Sequence, residues 1–271
     1  MNKVQLPSLN DQIQLGVSQI EAFRKNGHTL IKSVLHPGEV EAYRYAINEA
    51  AYQYNTEKRK LEDRDTYGKA FLQIMNLWKV DEQVREFTLA KRFAKIAAEL
   101  LGVDNVRIYH DQALYKEAGG GFTPWHQDQY YWPLDTNNTV TMWMPLIDIT
   151  EDMGMLTFAS GSYKEGSVKN IAISDQSEEE LNAHIRNKGY EITRAKTMNA
   201  GDATWHYGWT LHTAPGNLSG TTREVMTVIY FADGAKVTAP INEHQENDRN
   251  TWLCGLKPGE NAASELNPLV L

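Results

Sequence analysis

A chain of 271 residues with 41% hydrophobic and 23% charged residues has an ordinary globular balance and enough length to bury a core. Its formal net charge of -8 opposes non-specific binding to nucleic acid or an anionic membrane and says little about a small substrate, which feels the local field of a pocket. The lone cysteine, Cys254, excludes an internal disulfide and a thiolate metal cluster. The opening MNKVQLPSLN has no apolar core of signal-peptide length, and no apolar run reaches the roughly eighteen residues that span a bilayer. The expectation is a cytoplasmic protein with a small-molecule partner and neither nucleic acid nor membrane, as a monomer or a homodimer.

Apolar residues at helical spacing predict a helix over Asp11 to Lys25, stopped by Gly27. His28 to Val34 reads as a short strand, Pro37 to Tyr54 as a second helix, and the charged stretch Asn55 to Lys69 as a surface loop. Asp81 to Leu101 reads as one or two helices closed by Gly102. From Val103 the pattern changes to short β-rich runs between turn signals: 106–116, 122–132, 139–149, 155–160, 203–214 and 223–231. Ser174 to Lys188 reads as a helical insertion. The fold class is therefore mainly β with flanking helices. It is read as a single domain with a helical part over about 1–102, a barrel core over about 103–235 and an extension over 236–271.

His126 and Asp128 stand two apart in a strand-like run, so both face one side while Gln127 faces the other. A His-x-Asp pair alone is weak. A second half strengthens it: Gly201-Asp202 opens a run through His212, a turn follows at Pro215 to Gly220, and Arg223 begins the next strand. A hairpin centred on Asn217 and Leu218 would set His212 opposite Arg223 on one face. A guanidinium beside a metal-binding histidine calls for an anion, and a carboxylate suits its fork. Likewise, a hairpin around residues 136–137 would place Trp143 opposite Tyr130, with Thr139 and Thr141 on the same face, unless a bulge shifts the parity. Two histidines and one carboxylate leave open positions on a metal, the geometry of non-haem iron(II) oxygenases. Catalytic zinc uses similar sets, so a metallohydrolase or isomerase on a cupin-like barrel is the alternative; Arg223 counts against it.

These residues resemble the phytanoyl-CoA dioxygenase family of iron(II) and 2-oxoglutarate-dependent oxygenases, from Gly27 to about Phe231. The parts that carry the resemblance are His126-Gln-Asp128, Trp143, Gly201-Asp202, His212, Asn217 and the eleven-residue step to Arg223. Ser160-Gly-Ser-Tyr163 departs from a Pro-Gly-Ser-His loop, and Ala214 stands where the family often has serine, with Thr213 as its possible replacement. The resemblance implies a double-stranded β-helix (jelly-roll) core, with iron(II) held by His126, Asp128 and His212. It implies 2-oxoglutarate chelating the metal and paired with Arg223, and O2 as the oxidant source. Hydroxylation is the default outcome; cyclisation, epimerisation, desaturation and endoperoxide formation use the same kind of site, and a secondary-metabolic role fits. Trp143, Thr139 and, from Phe71 to Asn76, Gln73 are the other candidate cosubstrate contacts.

Tyr130, Trp132, Trp209 and Lys116 are candidate substrate contacts, set against barrel core for the aromatics and a solvated side chain for the lysine. His206 is a rival to His212 but breaks the step to Arg223. His28, His36, His110, His184 and His244 have no ligand partner at useful spacing and read as surface or core residues. Gly119 to Gly121 reads as a loop at the pocket mouth.

Overall fold

The structure, a computed structural model, describes residues 6–271. The first five residues, part of the opening segment considered above for a signal peptide, lie outside the described residues. The N-terminal elements are α1 (Val17–Asn26), β1 (His28–Ile31), α2 (Pro37–Tyr54), α3 (Thr66–Ala70), β2 (Leu72–Met75), α4 (Glu82–Thr88) and α5 (Lys91–Leu101). Strands then dominate: β3 (Val106–Lys116), β4 (Thr123–His126), β5 (Thr139–Pro145), β6 (Ile149–Thr150) and β7 (Thr157–Ala159). After α6 (Asp175–Lys188) come β8 (Ile192–Arg194), β9 (Thr197–Met198), β10 (Ala203–Tyr207), β11 (His212–Ala214), β12 (Arg223–Ala232) and α7 (Glu243–Thr251).

The strands form a double-stranded β-helix. One antiparallel sheet runs β1-β10-β5-β12-β3-β2, a second runs β4-β11-β7-β8, and β6 pairs with β9. Strand alternation divides the larger sheet into two faces. Val140, Met142 and Met144 of β5 and Met226, Val228 and Tyr230 of β12 join the apolar core under α2 and α5. Thr141, Trp143, Thr227 and Ile229, one residue out of step, line a cavity on the other face. Phe93, Ile96 and Leu100 of α5 are fully buried in that core, each contributing about 1.5–3 kcal/mol.

Local chemistry sets the helix ends. Pro37 opens α2, and Glu39 accepts from the His36 amide at 2.8 Å. Gly27 and Gly102 close α1 and α5 at φ 82° and 71°, conformations that cost residues with a Cβ. α1 starts at Val17 rather than Asp11, because Gly16 takes the N-cap. The charged 55–69 stretch also carries most of α3, capped by Asp65. No helix among the described residues is long and apolar enough to cross a membrane.

Two hairpins expected from the sequence do not form. Residues 203–214 break at 208–211 into β10 and β11, which enter different sheets. β11 pairs with β4 and β7, whereas β12 pairs with β3 and β5, so His212 is not opposite Arg223. β5 likewise pairs with β10 and β12, and Trp143 lies opposite Thr204 and Thr227 rather than Tyr130. The intervening turns are crossovers between the two layers, so they set no strand register.

Candidate metal centre

β4 and β11 are neighbours, and their register makes His126 and His212 direct partners. Partners share a face, and the two imidazoles meet with ring centroids 4.0 Å apart. β4 ends at His126, and residues 128–131 form a 3-10 turn. That turn is pinned from behind by Gln127, whose amide donates to the carbonyls of Gly166 (2.8 Å) and Trp209 (2.6 Å) and accepts from the Val168 amide. The turn directs Asp128 back beside the histidines. Its Oδ1 lies 3.5 Å from Nε2 of His126 and 3.5 Å from Nε2 of His212. Ligand atoms of the three residues lie within 4.8 Å of one another, a separation one divalent ion can bridge.

The histidine tautomers are set from outside the site. His126 Nδ1 donates to the Pro124 carbonyl at 2.7 Å, and His212 Nδ1 donates to the Thr210 carbonyl at 2.9 Å. Both Nε2 atoms are therefore bare lone pairs aimed at Asp128, the state a metal ligand needs. Burial, then the neighbouring His126, keep His212 well below the usual histidine range. Burial works to raise Asp128, but the neighbouring His212, then His126 and His206, outweigh it and hold the carboxyl well below its usual range.

His206 sits in the same pocket. It donates through Nε2 to Asp128 Oδ2 at 3.2 Å, and Thr141 donates to the same oxygen at 2.9 Å. His206 is thus a neighbour that orients the carboxylate; the common point belongs to His126, Asp128 and His212. Its six-residue offset from His212 carries no sequence signal for this role, because the chain changes sheets between them.

Arg223 enters the cavity from the opposite sheet and is fully buried. Its guanidinium lies 5.1 Å over the Trp143 ring and donates from Nη1 to the Gly154 carbonyl. Its Nε has no partner, no carboxylate pairs with it among the described residues, and burial lowers it to about 9. Gly154 must be glycine here: φ is 80°, and a Cβ would meet the Pro215 carbonyl at 2.6 Å and Lys116 Cδ at 2.7 Å.

The cavity between the sheets has a volume of about 540 Å³ and reaches from these residues to α7. Gln73, Trp143 and Trp132 line it, with Gln73 also accepting from the Tyr67 hydroxyl at 2.9 Å. Four other expected residues do not line it. Tyr130 is turned away because the 3-10 turn breaks the strand alternation, and Tyr131 takes its place. Thr139 is on the right face but beyond the cavity's end, where it donates to Gln129 in a packed region. Trp209 donates to Asn137 at 2.8 Å outside the cavity. Lys116 is buried rather than solvated and donates to the Gly121 carbonyl; burial, then the charge of Arg223, bring it down to about 6. Thr213 cannot stand in for the missing serine, since it donates to the Thr123 carbonyl at 2.6 Å, while Ala214 faces the cavity.

The shorter motifs prove structural. Asp202 accepts from the amides of Ser33 (2.8 Å) and Asn199 (3.0 Å) and anchors the start of β10. Asn217 donates to the carbonyls of Lys116 (2.9 Å) and Thr221 (2.8 Å) and holds the turn before β12. Ser162 accepts from the Leu211 amide at 2.9 Å, steadying the residue before His212.

Residues from α7 were missed. His244, Asn247 and Asp248 face the cavity, and Trp252 follows at the helix end. His110, expected as surface or core, is buried and also lines it; burial lowers it to about 3. Burial raises Asp248 to about 7, with the Tyr109 hydroxyl bond at 3.0 Å acting in the other direction.

The family model of phytanoyl-CoA dioxygenase (PhyH) matches residues 23–225. No curated protein matches the chain. Among solved structures, the non-heme alpha ketoglutarate dependent carbocyclase SnoK from nogalamycin biosynthesis superposes with a TM-score of 0.78 at 22% identity, covering 99% of this chain and 100% of SnoK. The epimerase SnoN, crystallised with Fe3+, alpha ketoglutarate and nogalamycin RO, gives 0.74 at 21% identity over 94% of this chain and 98% of its own. EctD from S. alaskensis, crystallised with 2-oxoglutarate and 5-hydroxyectoine, gives 0.66 at 18% identity over 88% and 85%. At these identities the superpositions carry the fold alone.

Proposed function

Because the chain belongs to the phytanoyl-CoA dioxygenase family, we propose that it is an iron(II)- and 2-oxoglutarate-dependent oxygenase acting on a small molecule. One observation carries the reading: two bare Nε2 lone pairs and a carboxylate meet at one point, in the same cavity as a buried guanidinium that has no carboxylate partner among the described residues. The donor set fits iron(II), and Arg223, bonded to the Gly154 carbonyl but with no carboxylate partner among the described residues, fits an incoming carboxylate.

His126, Asp128 and His212 would hold the metal, which supplies C–H oxidation with O2 while 2-oxoglutarate goes to succinate and carbon dioxide. The protein's share is placement. Arg223 binds and orients the distal carboxylate of the cosubstrate, with Trp143 backing its guanidinium. Leu114, Leu156 and Ala214 give that end apolar walls that exclude water. His206 and Thr141 hold Asp128 Oδ2, leaving Oδ1 toward the histidines. Gln73 and Trp132 face the remaining space, whose size suits a drug-sized molecule.

For the outcome, the reading is C–H oxidation, by hydroxylation or by cyclisation, epimerisation or desaturation, in secondary metabolism. SnoK and SnoN, a carbocyclase and an epimerase from nogalamycin biosynthesis, support it by near full-length likeness. The test is an anaerobic titration of iron(II) and then 2-oxoglutarate, following the visible absorption band of the chelate, with succinate measured on admitting O2. A band that forms and succinate that accumulates are the expected results. Zinc-dependent turnover with no succinate would return the site to a metallohydrolase or isomerase.

A further inference from the structure

The cavity's charges do not balance once the metal end is assigned. Asp65, Asp128 and Asp248 line it, and Arg223 is the only lysine or arginine to do so among the described residues. In the proposed reading Asp128 serves the metal and Arg223 serves the cosubstrate. Asp65 caps α3, accepting from the Gly68 amide at 2.8 Å. Asp248 is left. It is 8% exposed, its Oδ2 accepts from Tyr109, and no cation pairs with it among the described residues. Its Oδ1 accepts no hydrogen bond among the described residues, and its charge is felt at Tyr67 across the cavity.

The residue stands in a built surface. His244, Asp248 and Trp252 follow at four-residue spacing, so α7 and its end present one stripe to the cavity. Trp132, packed on the Tyr109 that bonds Asp248, and Tyr131, packed on His244, line the same end and put aromatic rings beside a buried carboxylate. Aromatic faces and a carboxylate attract the same ligand group, a cation on an organic framework. A carboxylate left unpaired in such surroundings is costly, and burial holds Asp248 up to about 7; an arriving cation removes that cost.

We propose that the substrate carries a protonated amine, which the Asp248 carboxylate binds at the α7 end of the cavity while the aromatic side chains cover its carbon framework. This inference rests on the iron and 2-oxoglutarate reading for the assignment of Asp128 and Arg223. It makes an anionic substrate, such as an acyl thioester of a nucleotide-bearing carrier, a poor fit for this chain.

The probes are 2-(1-naphthyl)ethylamine and its neutral isostere 2-(1-naphthyl)ethanol, titrated calorimetrically into the full chain at about pH 8, where the carboxyl is ionised. The amine is expected to bind at least about ten-fold more tightly than the alcohol, the scale of one charge-assisted hydrogen bond. Asp248→Asn, which keeps an acceptor for Tyr109, is expected to abolish that preference. Equal binding of the two probes to the parent protein, no binding of the amine, or an unchanged preference in Asp248→Asn would each overturn the proposal; the first two need no variant. The iron and 2-oxoglutarate absorption band is recorded separately on the same proteins. A band without an amine preference removes this inference alone, and an amine preference without a band removes the iron reading alone.

Discussion

At one end of the cavity His126 and His212 face each other across paired strands; at the other, His244, Asp248 and Trp252 step along α7. The first end is cross-braced: each ligand histidine is tied to a backbone carbonyl, and Asp128 is tied to Thr141 and His206. The second end hangs on a helix beyond the last strand, held by bonds to its flanks such as the Gln245 amide on the Tyr130 carbonyl (3.0 Å) and Tyr109 on Asp248 (3.0 Å). The difference teaches a division of labour. Sheets fix atoms to within the tolerance that metal chemistry needs, while a helix and its flanking loops can change side chains without moving that frame.

The largest test of this division is deletion at each end. His126→Ala or His212→Ala is expected to abolish succinate formation and iron(II) binding, whereas Trp252→Ala is expected to keep the iron and 2-oxoglutarate absorption band. His206→Gln should fall between, weakening iron affinity by about 10–100-fold as loss of an orienting partner does. Full iron occupancy in His212→Ala would move the ligand role to His206 and break the comparison.

Arg223 sharpens it further, since it belongs to the braced end without being a ligand. Arg223→Ala should raise the 2-oxoglutarate requirement by at least about ten-fold, from loss of a charge-assisted pair. Arg223→Lys should recover only part, because an ammonium lacks the fork. Iron(II) affinity measured without cosubstrate should be unchanged; a parallel loss would mean that Arg223 supports the metal frame itself.

The smallest effect concerns His110, on β3 between the two ends. Burial depresses it from 6.5 to about 3, so the unfolded chain binds the extra proton below about pH 6.5. Its contribution is fully present above that pH and is lost as pH falls toward 3. The slope is at most about 1.4 kcal/mol per pH unit. Denaturant unfolding at a series of pH values should show His110→Asn losing part of the parent's slope. An identical slope would mean that His110 is solvated.

Much of the braced end was legible in the sequence, because its donors sit in short motifs. His126, Asp128, His212 and Arg223 were picked by type and spacing, and all four reach the cavity. The reasoning that joined His212 to Arg223 was nevertheless wrong in geometry. Both residues face inward, yet from opposite sheets, and inward alternation in two layers mimics a hairpin. Helix limits such as Pro37–Tyr54 were readable because proline and glycine punctuate them. Tyr130 and Thr139 were misplaced for the converse reason: a 3-10 turn and the cavity's end interrupt an alternation that residue types do not encode. The α7 stripe left no trace, since His244, Asp248 and Trp252 look like any polar helix until the helix is seen to roof a cavity.

β3 and β12 bring Lys116 directly across from Arg223, both of them buried. With burial and the adjacent guanidinium holding Lys116 down to about 6, the lysine is largely uncharged at neutral pH. Burial is the larger cause, so a carboxylate settling against Arg223 offsets only the guanidinium's share, which draws Lys116 toward taking a proton from solvent. Proton uptake on cosubstrate capture is the expected outcome. Titration calorimetry of 2-oxoglutarate in buffers of different ionisation heat reads the proton count, and equal heats in all buffers would mean that Lys116 stays neutral throughout.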